Sequence, residues 1–178
     1  MSDKNDTLSN VQGQMNLPEK IASFVPGFRG YKEKEIRRES DRLIRNHLYL
    51  KLSAEKTDLR AIEQKLADRR YFDVLTDMDR LLAKMDRVVE KVNHAPYGYS
   101  GFFDAVKVRE ENLDHMMDFD SKLIDEINAL GTEIDAFKAD LASGATANLN
   151  TRVQNVTDKL ESLESTFDQR NEVILGVS

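Results

Sequence analysis

Between Gly30 and Pro96 the chain contains neither a proline nor a glycine. Proline in a helix interior removes a backbone donor and clashes with the preceding turn, and glycine there costs about 1 kcal/mol relative to alanine. A tract of this length free of both is a tract for long helices. The three prolines and eight glycines of the 178 residues fall mainly at 13–30, 96–101 and 131–144, so the connections are expected at those places.

Apolar spacing divides the tract. Ile36, Leu43 and Leu50 recur every seven residues, with Ser40 and His47 at the alternate seam positions. A second line, Leu48, Leu52, Leu59, Ile62 and Leu66, continues in a different phase. A third, Tyr71, Leu75, Met78, Leu82, Met85, Val89 and Val92, fills every position of a 3,4 spacing. The phase changes at "DRRYFD", which predicts a break near residue 70, with Asp73 as the cap of the next helix. Further on, Met116, Leu123, Ile127, Leu130, Ile134, Phe137 and Leu141 share a line interrupted by Asp120. Leu149, Val153, Val156, Leu160, Leu163, Phe167 and Ile174 share another, with Arg170 as its polar member. The short "SGATAN" connection makes these last two helices an antiparallel hairpin.

The fold expected is all-α, an elongated antiparallel four-helix bundle. The alternative is a three-helix coiled coil with one very long helix, in which the phase change near residue 70 is a stutter. A helix over 31–69 is nearly twice as long as one over 73–92, so part of it should project and need a partner. Residues 1–16 are polar and aperiodic and read as a disordered N-terminal tail. Residues 17–178 read as a single helical-bundle domain, opening with a short helix from Pro18 that buries Ile21, Phe24 and Val25 and is stopped by Pro26 and Gly27.

The net charge of −6 is unevenly spread: residues 29–70 carry 13 Lys or Arg against 8 Asp or Glu, and residues 109–178 carry 6 against 15. Mutual attraction of these segments is the simpler reading, and a basic face for an anionic partner the sharper one. Cysteine is absent, which removes disulfides and thiolate chemistry. The N-terminus has no basic and apolar signal regions, and no apolar run is long enough to span a bilayer. A cytoplasmic protein is expected.

Chemical motifs are few. A ferritin-like di-metal site needs Glu three residues before His on two helices, but Ile44, Lys91 and Asn112 stand three before His47, His94 and His115. "DFDSKLIDE" lacks the glycine of a calcium loop, and "GFRGYKEK" lacks the spacing of a phosphate loop. "KEKEIRRESDRLIR" alternates its charges as a solvated helix face does, so no nucleic-acid partner is expected. His47 and Asp120 fall at similar heights if the first and third long helices run parallel. Such a pair suggests either catalysis or, by preference, a buried polar seam pair that fixes register, and Arg170 is a further buried polar seam candidate. No catalytic, cofactor or metal residue is assigned, and no small-molecule substrate.

Two segments are aromatic, "FVPGFRGY" and "APYGYSGFF". An up-and-down bundle brings them to one end, where Phe24, Phe28, Tyr97, Phe102 and Phe103 could close the core. If some rings stay exposed, the end becomes a docking surface built from Phe28, Arg29, Tyr31, Lys32, Arg37, Arg38, Tyr97, Tyr99, Phe102 and Phe103. The function expected is a non-enzymatic protein–protein interaction or scaffold role through helical surfaces and the aromatic loop end, with another protein or a second copy as partner. The alternatives are a peripheral protein on an anionic membrane surface and an enzyme or metal-binding bundle with a carboxylate/His site.

Overall fold

The computed structural model of the chain describes residues 16–30, 34–95 and 110–175, without the side chains of 34–37, 110–112, 174 and 175. These residues form five helices, α1 (Leu17–Phe24), α2 (Lys34–Asp68), α3 (Phe72–Asn93), α4 (Glu110–Ser143) and α5 (Leu149–Leu175), packed together as an all-helical bundle.

The break near residue 70 is a turn between two helices, which rules out one continuous arm. At the end of α2 the N–H of Tyr71 donates to the Leu66 carbonyl at 2.9 Å and that of Arg70 to Ala67 at 3.0 Å. This is the paired pattern of a Schellman ending, and it places Arg70 at φ +62°, in the left-handed region. Tyr71 then turns inward, partly buried against the core. The corresponding end of α4 uses Gly144 at φ +78°, with Ala145 N–H donating to Asp140 at 2.9 Å. The expected Asp73 cap is not formed: Tyr71 holds the cap position without a side-chain bond, and Asp73 lies inside the first turn.

Interhelical pairs give the directions. Lys56 of α2 pairs with Asp86 of α3, and Arg45 nearer the start of α2 reaches the Ala95 carbonyl past the end of α3, so these two run antiparallel. Arg152 near the start of α5 meets Asp140 near the end of α4, whereas Arg170 near the end of α5 meets Asp120. That hairpin is antiparallel too. Between hairpins the neighbours are parallel: Asp58 of α2 meets Lys138 of α4, and Lys91 of α3 meets Glu164 and Asp168 of α5. Two hairpins thus lie side by side in the order α2, α3, α5, α4 around the core. The end of α3 and the start of α4 are thus diagonally opposite in the ring, at the same end of the bundle.

The core is continuous from Ile21 to Phe167. The lines read from sequence on α3, α4 and α5 supply it: Met78, Met85, Val89 and Val92, then Met116 to Leu141, then Leu149 to Phe167. On α2 the core face is Ile44, Leu48, Leu52, Leu59, Ile62 and Leu66. The line through Leu43 and Leu50 is therefore not the core seam, and the side chain of Ile36, its first member, lies outside the described atoms. Leu43 is only partly buried and Leu50 is 57 % exposed, because the second line continues backward through Ile44 and rotates the first away from the bundle axis.

α1 begins at Asn16, whose side-chain oxygen accepts the Glu19 N–H at 3.1 Å, with Pro18 in the first turn. Ile21 is fully buried, Val25 nearly so and Phe24 partly. Lys20 pairs with Asp125 of α4 at 2.6 Å, and the Ser40 hydroxyl donates to the Gly30 carbonyl at 2.9 Å. No described helix is long and apolar enough to cross a membrane.

Candidate functional site

The bundle end that holds α1, the start of α2 and the end of α5 carries the densest group of buried charges. Arg170 sits on the core line of α5, one step beyond Phe167, and is fully buried. Its Nε donates to Asp120 Oδ1 at 2.6 Å, and its Nη2 lies 2.9 Å from Asp41 Oδ1. Asp120 occupies the gap between Met116 and Leu123 on the core line of α4. Asp41 is the position reached by extending the α2 line back from Ile44. All three are core positions of their helices at one level, so the 3,4 spacing itself brings them together.

One turn along, Arg45 donates through Nε to Asp41 Oδ2 at 2.9 Å and through Nη1 to the Ala95 carbonyl at 3.4 Å. The four side chains balance two positive charges with two negative ones and tie α2, α4 and α5 directly, with the end of α3 joined through Arg45. Guanidinium groups do not release a proton in proteins, so the cluster supplies fixed charge and donors. Leaving Asp41, Asp120 or Arg170 unpaired in this buried setting would be costly.

His47 lies farther along α2, half-buried, and makes no ion pair with Asp120. Its Nε2 is buried without a hydrogen-bond partner among the described residues. Burial first, and then the Lys51 ammonium, hold the imidazole below its usual pKa. The matched heights expected for His47 and Asp120 fail because Asp41 stands level with Asp120, and His47 is six residues, ~9 Å, beyond. Of the three seam candidates, Asp120 and Arg170 meet and His47 stands apart. Asp41 and Arg45 are members that the sequence reading does not include. The signal for Asp41 is present, since it continues the Leu52, Leu48, Ile44 line.

The docking candidates separate in the same way. Phe28 is buried, 5 % exposed, and part of the core; Arg29 and Arg38 are exposed. Arg37 lies on α2 with its side chain outside the described atoms. Tyr31, Lys32, Tyr97, Tyr99, Phe102 and Phe103 lie outside the described residues. The connection that bears the last four leaves from Ala95 and re-enters at Glu110, both at the end where the buried charges sit.

The surface offers two further features. A groove of about 620 Å³ runs between α4 and α5 past Glu126 and Glu133. Its carboxylates are already engaged: Glu126 accepts from Ser162 and Thr166, and Glu133 from Arg152 and Asn155. Burial works against the charge of Glu133, but the Arg152 and Asn155 bonds outweigh it and hold its pKa low. The outer face of α2 is different. Leu50, Ala54, Thr57 and Ala61 are all exposed and succeed one another at steps of four, three and four. Small residues on such a line let another helix approach closely. No protein-family model, curated protein or solved structure matches the chain.

Proposed function

We propose that this is a non-enzymatic interaction or scaffold protein that acts through helical surfaces and the aromatic connection between α3 and α4. The observation that supports it most is the outer line of α2, where Leu50 at 57 % exposure heads a heptad-spaced face that the described helices leave uncovered. A lone exposed leucine needs no explanation. One placed at the head of a seam-like row of small residues has the pattern used in helix-to-helix docking. The aromatic connection, which lies outside the described residues, is the second contact region in this reading. The partner in this reading is another protein or a second copy of the chain.

The experiment is affinity capture from the source cells with three chains: wild type, Leu50→Arg, and Tyr97→Ala/Phe102→Ala/Phe103→Ala. Circular dichroism establishes that each is folded. The reading expects a protein retained by wild type and lost or weakened with at least one folded variant. Equal retention by all three would remove both surfaces from the account.

A further inference from the structure

Helix α4 is buried on two sides over part of its length. Its core line runs from Met116 to Leu141, and a second buried line, Met117, Ser121 and Ile124, lies about a quarter-turn away. No residue of that line is fully buried after Ile124: farther along the same side Asn128, Gly131 and Lys138 are half-buried, the last two beside Glu55 and Asp58 of α2, and Asp135 and Ala139 are exposed. This limit coincides with α1, which packs on α4 and whose Lys20 reaches Asp125 at 2.6 Å. On the α2 side Leu43 lies against the turn after α1, 3.5 Å from where a Cβ on Gly27 would stand. α1 therefore packs along α4, and the turn that follows it lies against Leu43 at the α2 edge, so that α1 covers an apolar groove on α4 bounded on one side by Leu43.

We infer that α1 is a detachable strap over this groove, and that the groove takes an amphipathic helix of the same pattern from a protein partner. Eight residues are too few for a helix to persist alone in water, so α1 owes its form to docking. Its hold consists of Ile21, Val25 and part of Phe24, with the half-exposed Lys20–Asp125 pair. Pro26 and Gly27 come next, Gly27 at φ +88°, which ends the helix and provides a pivot between the strap and buried Phe28. The occupant is defined by what α1 presents: apolar residues at the Ile21 and Val25 positions, an aromatic beside them, and a cation one residue before the first to meet Asp125. The use of the groove rests on the interaction reading above. The detachment does not.

Two measurements on the full chain test it. Hydrogen exchange on wild type should show the Val25 amide, bonded to the Ile21 carbonyl, opening at least 100-fold faster than amides around Ile124 and by a route insensitive to low denaturant. In the second, Ile21→Asp/Val25→Asp disables the strap, and a labelled peptide of residues 16–30 is added as the probe. It should bind this variant at least tenfold more tightly than wild type. A Lys20→Glu peptide should bind more weakly, and Asp125→Lys in the chain should restore it. Exchange of α1 together with the core, or peptide binding that ignores both the strap substitutions and the charge reversal, would overturn the inference. Because the probe is the chain's own segment, a failure to find any cellular partner would sink the interaction reading and the partner's use of the groove, while the detachment stands or falls on these two measurements.

Discussion

Arg170 illustrates how much one side chain can commit a helix. Placed at a core position of α5, it must find carboxylates or remain an unpaired charge, and Asp41 and Asp120 meet it from two other helices. Arg170→Met should therefore destabilise the protein by about 3–5 kcal/mol, since the carboxylates stay behind in an apolar core. Adding Asp120→Leu should recover most of that loss, because Asp41 keeps Arg45 at 2.9 Å. Urea unfolding at neutral pH measures both. A double variant as weak as the single would show that the charges hold the bundle through more than their mutual pairing. Arg70 gives a change of opposite sign. A residue with a Cβ in the left-handed region costs about 1–2 kcal/mol, so Arg70→Gly should stabilise by about 1 kcal/mol once the added freedom of the unfolded chain is offset. The same unfolding curve reports it.

At the scale of elements, the contact of α2 with α4 is set by Gly131. A Cβ there would lie 2.8 Å from Glu55 Oε1, so glycine admits the half-buried Glu55 carboxyl between the helices. Burial, then the charges of Asp58 and Asp135, raises the pKa of Glu55, with Lys138 and Lys51 opposing. The folded state thus binds this proton more tightly than the unfolded one. The contribution of Glu55 is most favourable below about 4.5, the ordinary value of the group, and is lost as pH rises from there through the raised folded value. Glu55→Gln should remove that part of the pH dependence, read as unfolding free energy against pH. Gly131→Ala should push the carboxyl outward and bring its NMR titration back toward the ordinary range. It should also add up to about 1 kcal/mol of helix propensity, because the obstructing atom is the end of a flexible chain. Loss of stability in Gly131→Ala would mean that Glu55 cannot yield. The helices themselves are readable from sequence because on three of the four long ones the line that the spacing picks out lies in the core. α2 has two, and the line that begins at Ile36 leads to the outer face, so periodicity places Leu50 in a seam and passes over Asp41. Spacing alone does not say which of two lines a bundle will bury. Packing against α3 and α4 decides it.

For the whole molecule, the two side-by-side hairpins distribute charge in a way the chain's asymmetry does not suggest. The basic segment of α2 does not simply face acidic α4 and α5: across those contacts α2 contributes Asp41 and Asp58, and its neighbours contribute Arg170 and Lys138. The α3 lysines Lys84 and Lys91 meet the carboxylates of α5 instead. Positive charge on α2 is also met within the helix, as Arg42 is by Glu39, which keeps its outer face open to a partner. In this account the interior, including its buried charges, maintains shape, and recognition belongs to the surface. The most direct test is partner capture by the Arg170→Met/Asp120→Leu chain, confirmed as folded. The account predicts that it retains the same partner as wild type. A folded double variant that loses the partner, while the surface variants Leu50→Arg and Tyr97→Ala/Phe102→Ala/Phe103→Ala keep it, would place function in the buried charge cluster and contradict the account.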